Sequence, residues 1–169
     1  EIGDDPRRVI HLDAVHNFRD LGGYPTTDGR VTRWGRLYRA DGLYRLTGDD
    51  LATVRDLGLQ IVIDLRTEEE LDLRGRFPLE YHPVQFHHLS VMDTTWVELP
   101  EIEITGRTPA EFLEWAYLEM LRDAGDRFAR ALDHLAEADS LPAVFHCTAG
   151  KDRTGVLAML LLGAMRVQH

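Results

Sequence analysis

One short segment of the sequence, His146–Gly155, combines residue types that could carry out chemistry on a phosphate group. It contains the only cysteine of the chain, Cys147, and five residues separate this cysteine from Arg153. A cysteine thiolate is a strong nucleophile, and the planar guanidinium of arginine binds two phosphate oxygens at once, a geometry that lysine cannot copy. The spacing therefore predicts a thiolate facing an anion that the arginine binds.

The flanking sequence predicts the elements that would position these two side chains. The apolar run Leu141–Phe145 indicates a strand before the segment, and the apolar pattern Val156–Met165 indicates a helix after it. A tight loop between them turns its backbone N–H groups inward and adds the positive end of the helix, which makes a cradle for phosphate. The expected substrate-binding residues are Thr148, Ala149, Gly150, Lys151, Asp152 and Arg153.

The other residues of the segment fit the same interpretation. Gly150 and Gly155 relieve steric limits where the loop must curl and the helix must pack closely. Thr154 places a hydroxyl within reach of the sulfur, where it could stabilise the thiolate and later orient a water. The alternative is a buried, inert cysteine on a core strand, which is what most lone cysteines are. That alternative leaves the flanking glycine, lysine, aspartate, arginine and threonine unexplained.

The pattern His-Cys-x-x-Gly-Lys-Asp-Arg-Thr-Gly resembles the signature loop of the cysteine-dependent protein tyrosine phosphatases. The Lys-Asp pair inside the loop makes it similar to the bacterial branch with broad, sometimes lipid-directed, specificity. Three further segments resemble that branch in its order: Asn17–Tyr24, Gly35–Arg39 and Ile63–Glu70. The resemblance implies a cysteine-phosphatase-like fold and hydrolysis of phosphotyrosine in proteins, with phosphoserine, phosphothreonine and phosphoinositides as further candidate substrates.

A catalytic acid must protonate the leaving oxygen, and two aspartates are candidates. In the expected reaction the cysteine takes the phosphoryl group from a phosphate monoester, and water then hydrolyses the cysteinyl-phosphate. This reaction requires no metal or organic cofactor. Asp93 follows a predicted strand and opens a long polar connection, and the resemblance supports it because related enzymes carry an aspartate at the end of a similar segment. Asp152 lies within the loop and matches a family residue implicated in activity; its alternative role is a structural partner for Lys151, Arg19 or a loop amide. The sequence leaves both candidates open.

Other polar residues near these segments allow more than one interpretation. Lys151 could point a second positive charge at a multiply charged head group, or only tune the cysteine thiol. His146 is expected to orient the loop by hydrogen bonds rather than to act as a base. His82, His87 and His88 could suggest a metal site, but neighbours on a strand point to opposite faces and no cysteine accompanies them, so we expect none.

Two groups of charged residues are expected to have structural roles. Arg19, Asp20 and Arg39 are predicted to form an ion-pair network beside the loop. Asp64 and Arg66 are predicted to pair at the end of a strand and to stabilise a neighbouring turn.

Alternating strand and helix patterns predict an α/β fold with a mainly parallel central sheet flanked by helices. Strands are expected at 37–39, 60–65, 84–89 and just before the cysteine, and helices at about 48–56, 68–74, 109–122 and 126–138. Thr108 and Glu111 have the spacing of a capping box at the start of the 109–122 helix, whose apolar face, with Tyr117 on it, is expected to pack on the core. Residues 9–17 are expected to be extended and 18–36 hairpin-like or irregular. Because ligands of such sheets bind at the carboxyl ends of the strands, Cys147 would lie at the binding edge.

Composition bounds the possible functions. The 169 residues are 44% hydrophobic, enough for one sizeable core, so residues 1–169 are expected to form a single phosphatase domain. The net charge of −10 argues against sequence-independent binding of nucleic acid and against electrostatic adhesion to anionic membranes. A single cysteine cannot form an intramolecular disulfide.

The ends of the sequence and its hydropathy suggest further expectations. The chain begins at Glu1 and stops soon after the predicted helix that follows the loop, so part of the C-terminal helices of the domain is expected to be missing. No apolar run is long enough to span a bilayer, which argues against stable membrane insertion. We expect a cytoplasmic protein, or a secreted one if an export signal has been trimmed. The oligomeric state is left open.

Two other classes of function compete with the phosphatase. A catalytically idle phosphate-binding module would use the same loop, although the intact Cys147, Arg153 and Thr154 count against it. A rhodanese-like sulfurtransferase would use the same loop geometry, and the arginine and the absence of a second, resolving cysteine disfavour it.

Overall fold

A five-stranded sheet forms the centre of the computed structural model, which describes residues 5–93, 106–137 and 139–168. Its strands are β1 (Arg19–Asp20), β2 (Leu37–Ala40), β3 (Ile61–Asp64), β4 (Gln85–His88) and β5 (Ala143–His146). The order across the sheet is β1-β2-β5-β3-β4; β1 lies antiparallel to β2, and the other neighbours are parallel. The predicted mainly parallel sheet is confirmed.

Five α-helices join or flank these strands. They are α1 (Gly48–Asp56), α2 (Glu68–Arg74), α3 (Pro109–Asp123), α4 (Gly125–Ala136) and α5 (Asp152–Ala164) among the described residues. At the start of both α2 and α3 a threonine side chain accepts from the third helical amide, and a glutamate at that position returns to the threonine amide. Each such capping box satisfies two amides that the helix leaves unpaired. The predicted capping box at Thr108 is confirmed, and so is the helix that it begins.

The central strands β3 and β5 are buried along their whole length. Their apolar sequences suit strands of a parallel sheet, because helices must cover both faces of such a sheet. On one face, Ile63 and Phe145 pack in a cluster with Phe128 of α4 and Leu157 of α5. On the other face, a second cluster contains Phe18, Leu43, Val54, Val62 and Val144, from the N-terminal part, α1 and the sheet. Each fully buried large apolar side chain contributes roughly 1.5–3 kcal/mol, so both layers stabilise the sheet.

Helix α3 lies with one face on the main core, as its apolar spacing predicts. Ala116 and Met120 are buried, and Tyr117 and Leu121 pack against the same cluster. Leu118 points to solvent, with 54% of its surface exposed. The apolar face of this helix is therefore used for core packing in the described structure.

The N-terminal segment, predicted to be extended over 9–17, is held by carboxylate side chains rather than by strand pairing. Residues 9–17 form no strand; they contribute one isolated bridge, between Val9 and Arg19. Two carboxylates accept hydrogen bonds from backbone amides that no strand partner satisfies among the described residues. Asp50 accepts from the amides of Asp13 and Ala14, both at 2.8 Å. Asp41 accepts from the amide of Asn17 at 3.1 Å. Since these buried carboxylates satisfy the backbone, the segment is ordered without a ladder.

The carboxyl ends of the parallel strands meet at one edge of the sheet. Asp64 at the end of β3 is in register with His146 at the end of β5 and with His88 at the end of β4. Cys147 follows β5 directly, so the predicted position of the cysteine at this edge is confirmed.

Two expectations concern the wider setting of the domain. Within 5–93, 106–137 and 139–168, no helix is both long and apolar enough to cross a membrane. That residues 1–169 form one domain lacking some C-terminal helices stays a prediction. The polar connection predicted over 90–107 is described only to Asp93 and again from Gly106, and its centre lies outside the described residues.

Candidate active site

The loop between β5 and α5 curls tightly around a buried thiol. Cys147 is a free cysteine and is only 2% exposed. Gly150 has φ +64°, and a Cβ atom there would lie 2.5 Å from the carbonyl oxygen of Ala40. An L side chain would be strained and would also collide with backbone, so the predicted requirement for glycine is confirmed at this position. It is wrong for Gly155, where a Cβ atom would meet only the Arg39 guanidinium, at 3.8 Å.

Groups from the N-terminal segment, from β2 and from the residues directly after β2 bind the carbonyl oxygens of the loop. Asn17 Nδ2 donates to the carbonyls of Ala149 and Gly150, both at 3.1 Å. Arg39 Nη2 donates to Gly150 O at 2.6 Å and to the next carbonyl at 3.3 Å. The amide of Gly42 donates to Thr148 O at 3.1 Å. The amides of 148–151 donate no hydrogen bond within the described part of the chain, which leaves them available for an anion.

Arg153 lies at the start of α5 and is bound by Glu70 of α2. Its Nη1 donates to Glu70 Oε2 at 2.5 Å and its Nη2 to Oε1 at 2.9 Å. The Thr148 hydroxyl also donates to Glu70 Oε1, and the Thr67 amide donates to Oε2 at 2.9 Å. One carboxylate thus connects the arginine, the loop and the cap of α2.

Electrostatics keeps this ion pair charged. Burial acts to raise the pKa of Glu70, but the hydrogen bonds from Arg153, Thr148 and Thr67 outweigh it and lower the pKa to about 2. Burial acts to lower the pKa of Arg153, but Glu70 and the nearby Cys147 raise it above its ordinary value. Glu70 is a residue that the sequence analysis did not assign. The signal that could have found it is the Thr67-x-x-Glu70 spacing, which turns this carboxylate back toward the sheet edge.

A buried chain of three polar side chains lies beneath the thiol. Arg66 binds Asp64 through Nε at 2.9 Å and Nη2 at 2.6 Å, which confirms the predicted strand-end pair. His146 Nε2 lies 3.3 Å from Asp64 Oδ2, and its Nδ1 lies 3.4 Å from the carbonyl oxygen of Cys147. Burial lowers the pKa of His146, and the ring is fully enclosed, which suits the predicted orienting role better than that of a base.

Thr154 supplies an unpaired hydroxyl inside the site. Its residue is fully buried, and Oγ1 has no hydrogen-bond partner among the described residues, the sulfur of Cys147 included. A buried hydroxyl without a partner is rare in folded proteins. The predicted contact between this hydroxyl and the thiolate stays a prediction.

The two candidate acids lie in different surroundings. Asp152 is the first residue of α5, and its Oδ1 accepts a hydrogen bond from the Tyr117 hydroxyl at 2.5 Å. The side chain of Asp93 is 90% exposed, and its Oδ1 lies 3.4 Å from Arg127 Nη1. Asp93 lines an open groove of about 490 Å³ beside α4, and neither Cys147 nor a loop residue lines that groove. Asp152 directly follows the loop, whereas Asp93 makes no hydrogen bond or ion pair with a loop residue in the described structure.

The charged residues beside the loop differ from their prediction. Asp20 accepts hydrogen bonds from the amides of Gly22 at 2.8 Å and Gly35 at 2.7 Å. Arg19 stands opposite Arg39 in the β1–β2 register, so the two like charges repel. Burial, followed by Arg19, lowers the pKa of Arg39. The predicted Arg19–Asp20–Arg39 ion-pair network is therefore wrong: the aspartate secures a turn and Arg39 binds the loop.

Lys151 makes one weak ion pair in the described structure, whereas His87 and His88 each have a close partner. Lys151 Nζ is 3.8 Å from Asp152 Oδ1, and its side chain is 71% exposed, so this ion pair contributes little. His87 stacks on His134 of α4 with ring centroids 3.8 Å apart, while His88 Nε2 lies 2.7 Å from the carbonyl oxygen of Arg66. The described ranges contain no group of three or more histidine, cysteine or acidic residues that could bind a metal ion.

Comparison with known proteins agrees with this geometry. Residues 10–169 match the profile of a family described as the tyrosine phosphatase family. A Cupriavidus necator protein whose name assigns it to the tyrosine-protein phosphatases is 34% identical over 164 residues, which cover 95% of this chain and 59% of that protein. The triple specificity protein phosphatase PtpB of Mycobacterium tuberculosis is 30% identical over 180 residues, covering 93% of this chain and 64% of that protein.

A solved structure supports the fold. The core catalytic domain of the PP-IP phosphatase SIW14 from S. cerevisiae, crystallised with citrate, superposes with a TM-score of 0.52 at 16% identity, over 91% of this chain and 70% of that one. The expected cysteine-phosphatase-like fold is confirmed. The chain spans about 60% of the length of the two relatives named above.

Proposed function

Because the chain belongs to the tyrosine phosphatase family, we propose that it hydrolyses phosphate monoesters, phosphotyrosine in proteins first among them, through a cysteinyl-phosphate. The observation that carries the proposal is the loop around Cys147. Its carbonyl oxygens are bound from outside, its amides have no partner within the described structure, and Arg153 is fixed beside it. An anion with several oxygens, such as a phosphate, is the ligand that this arrangement favours.

The first chemical step transfers the phosphoryl group to sulfur. The thiolate of Cys147 attacks phosphorus, an S–P bond forms, and the P–O bond to the leaving group breaks. The amides of Thr148, Ala149, Gly150 and Lys151, with Arg153, would bind the three non-bridging oxygens, where negative charge is concentrated. The electron pair of the broken bond goes to the leaving oxygen, which takes a proton from Asp152 or from Asp93.

The second step returns the enzyme to its starting state. A water oxygen attacks phosphorus, the S–P bond breaks, and one proton of the water passes to the carboxylate that acted as acid. Inorganic phosphate leaves, and the thiolate is regenerated. The buried Thr154 hydroxyl, unpaired among the described residues, would stabilise that thiolate or orient the water.

The range of substrates follows from the mouth of the loop. Lys151 is exposed beside the cradle and adds a positive charge that a second phosphate could reach. The relative from Mycobacterium tuberculosis is named a triple specificity phosphatase, which supports activity of this chain on more than one class of phosphate monoester. Phosphoserine, phosphothreonine and phosphoinositides are the further candidates that the sequence suggests. No metal or organic cofactor enters the route.

Phosphate release from a phosphotyrosine peptide and from a phosphoinositide tests the proposal, with wild type beside Cys147→Ser. We expect release by wild type and its loss in the serine variant, which should still bind vanadate. Binding of vanadate by wild type without any release would indicate an idle phosphate-binding module. Turnover of thiosulfate without phosphate release would indicate a sulfurtransferase, and release by the serine variant would overturn the covalent mechanism.

A further inference from the structure

Tyr117 is the one residue outside the loop whose side chain reaches Asp152 by a hydrogen bond in the described structure. Its hydroxyl donates to Asp152 Oδ1 at 2.5 Å, across 35 residues of sequence. The ring is part of the packed face of α3, next to the buried Ala116 and one turn from the buried Met120. The position of the hydroxyl is therefore set by the core and not by the loop.

The hydrogen bond distinguishes the two oxygens of the Asp152 carboxyl group. Oδ1 accepts the hydrogen bond from the Tyr117 hydroxyl and lies 3.8 Å from Lys151 Nζ. Oδ2 makes no hydrogen bond within the described residues. A carboxylic acid that transfers its proton does so from one oxygen, and an acceptor bond on the other oxygen fixes the plane of the group.

The phenol is a permanent donor in this pair. Burial, and next the hydrogen bond to Asp152, raise the pKa of Tyr117 to about 12. Near neutral pH the tyrosine therefore keeps its proton, and Oδ1 acts as the acceptor. The transferable proton then resides on Oδ2.

We infer that Tyr117 is a positioning residue that holds Asp152 as the acid for the leaving group. This inference rests on the proposed function. When the S–P bond forms and the P–O bond breaks, the proton of Asp152 Oδ2 passes to the leaving oxygen and Asp152 becomes a carboxylate. In the second step that carboxylate takes a proton from the attacking water. The exposed Asp93, whose nearest charged partner in the described structure is Arg127, lacks a comparable fixed donor.

The test uses two aryl phosphates that differ in how much the leaving group needs a proton. para-Nitrophenol leaves as a stable anion and needs little help, whereas phenol leaves poorly unless an acid protonates it. Values of kcat/KM for para-nitrophenyl phosphate and phenyl phosphate are compared in wild type, Tyr117→Phe, Asp152→Asn and Asp93→Asn. Tyr81→Phe is the matched control, because it removes a phenol hydroxyl from a side chain that is 58% exposed and lies outside the site.

We expect Tyr117→Phe to lower kcat/KM for phenyl phosphate by about 10-fold, which is the effect of one hydrogen bond. The value of kcat/KM for para-nitrophenyl phosphate should change little. Asp152→Asn should lower kcat/KM for phenyl phosphate by about 100-fold. Adding Tyr117→Phe to this variant should not change the ratio of the kcat/KM values for the two substrates any further. Phenylalanine keeps the aromatic ring that packs on the core. The value of kcat/KM for para-nitrophenyl phosphate corrects for any loss of folded protein.

Equal losses on both substrates, or no loss, in Tyr117→Phe would show a merely structural tyrosine and would overturn the inference. So would a selective phenyl loss found in Asp93→Asn and absent from Asp152→Asn. If wild type releases phosphate from neither substrate, the proposed function fails first, and the result is distinct because it does not depend on any variant.

Discussion

Glu70 and Arg153 form a two-pronged ion pair in which each carboxylate oxygen accepts from a different guanidinium nitrogen, at 2.5 and 2.9 Å. The glutamate also accepts a hydrogen bond from the hydroxyl of Thr148, at the start of the loop. Such a bidentate pair fixes the plane of the guanidinium as well as its position. The arginine is therefore oriented before any phosphate arrives, which reduces the reorganisation needed at the moment of reaction.

Glu70→Gln should lower kcat/KM for a phosphotyrosine peptide by about 10- to 100-fold, because the amide cannot accept from both guanidinium nitrogens of Arg153. Steady-state kinetics measures the effect. Glu69→Gln is the matched control, since Glu69 lies on the same helix and is exposed. If the Glu70→Gln enzyme is as active as the control, the orientation of Arg153 does not depend on Glu70.

The same pair makes stability depend on pH in acid. The pKa of Glu70 is lowered from 4.5 to about 2 in the folded protein, so its contribution is complete above about pH 4.5 and is lost as the pH falls toward 2. Urea unfolding at pH 6 and pH 3.5 should therefore show a larger fall in the free energy of unfolding for wild type than for Glu70→Gln. An equal fall in both proteins would contradict the assignment.

Gly150→Ala should destabilise the fold by about 1–3 kcal/mol, because the new methyl group meets the Ala40 carbonyl and φ is positive. Thermal unfolding and vanadate binding should both be impaired. Gly163→Ala is the comparison, since a Cβ atom there meets nothing within 4 Å and alanine favours the helix. A neutral effect at Gly150 would show that the loop can relax.

Arg66→Met should destabilise the protein by about 3–5 kcal/mol, because it leaves the Asp64 carboxylate buried without its partner. Arg45→Met removes a partner of Asp41 from a more exposed pair and should cost about 1 kcal/mol or less. Urea unfolding of both variants at neutral pH measures the difference. Similar losses would show that Asp64 is stabilised mainly by other groups.

Local patterns were sufficient to predict most of the elements. The Thr108–Glu111 capping box predicted the start of α3, and the apolar β-branched run Ile61–Ile63 predicted a buried parallel strand. Both signals act over a few residues, where propensity and periodicity are reliable. The cysteine loop was predictable because its chemistry requires a fixed spacing of residue types.

Contacts between distant polar side chains were not predictable in the same way. The apolar spacing of α3 predicts Tyr117 on its core face, and the ring does pack there, but nothing in the spacing shows that its hydroxyl reaches Asp152. The network predicted for Arg19 and Arg39 failed because strand register, which the sequence does not state, puts the two arginines opposite each other. Strand register and the position of a helix depend on how the sheet and its helices pack together, and local sequence patterns do not show this.

The contact of Asn17 with the carbonyls of Ala149 and Gly150 closes a segment of more than a hundred residues. Docking of the N-terminal segment therefore helps to fix the shape of the cradle, which couples its formation to folding of the whole domain. The entropy of ordering the loop is lost during folding and not when an anion binds, so a ligand meets a rigid ring of amides. A substitution that loosens the N-terminal segment should weaken anion affinity even though it touches no ligand atom.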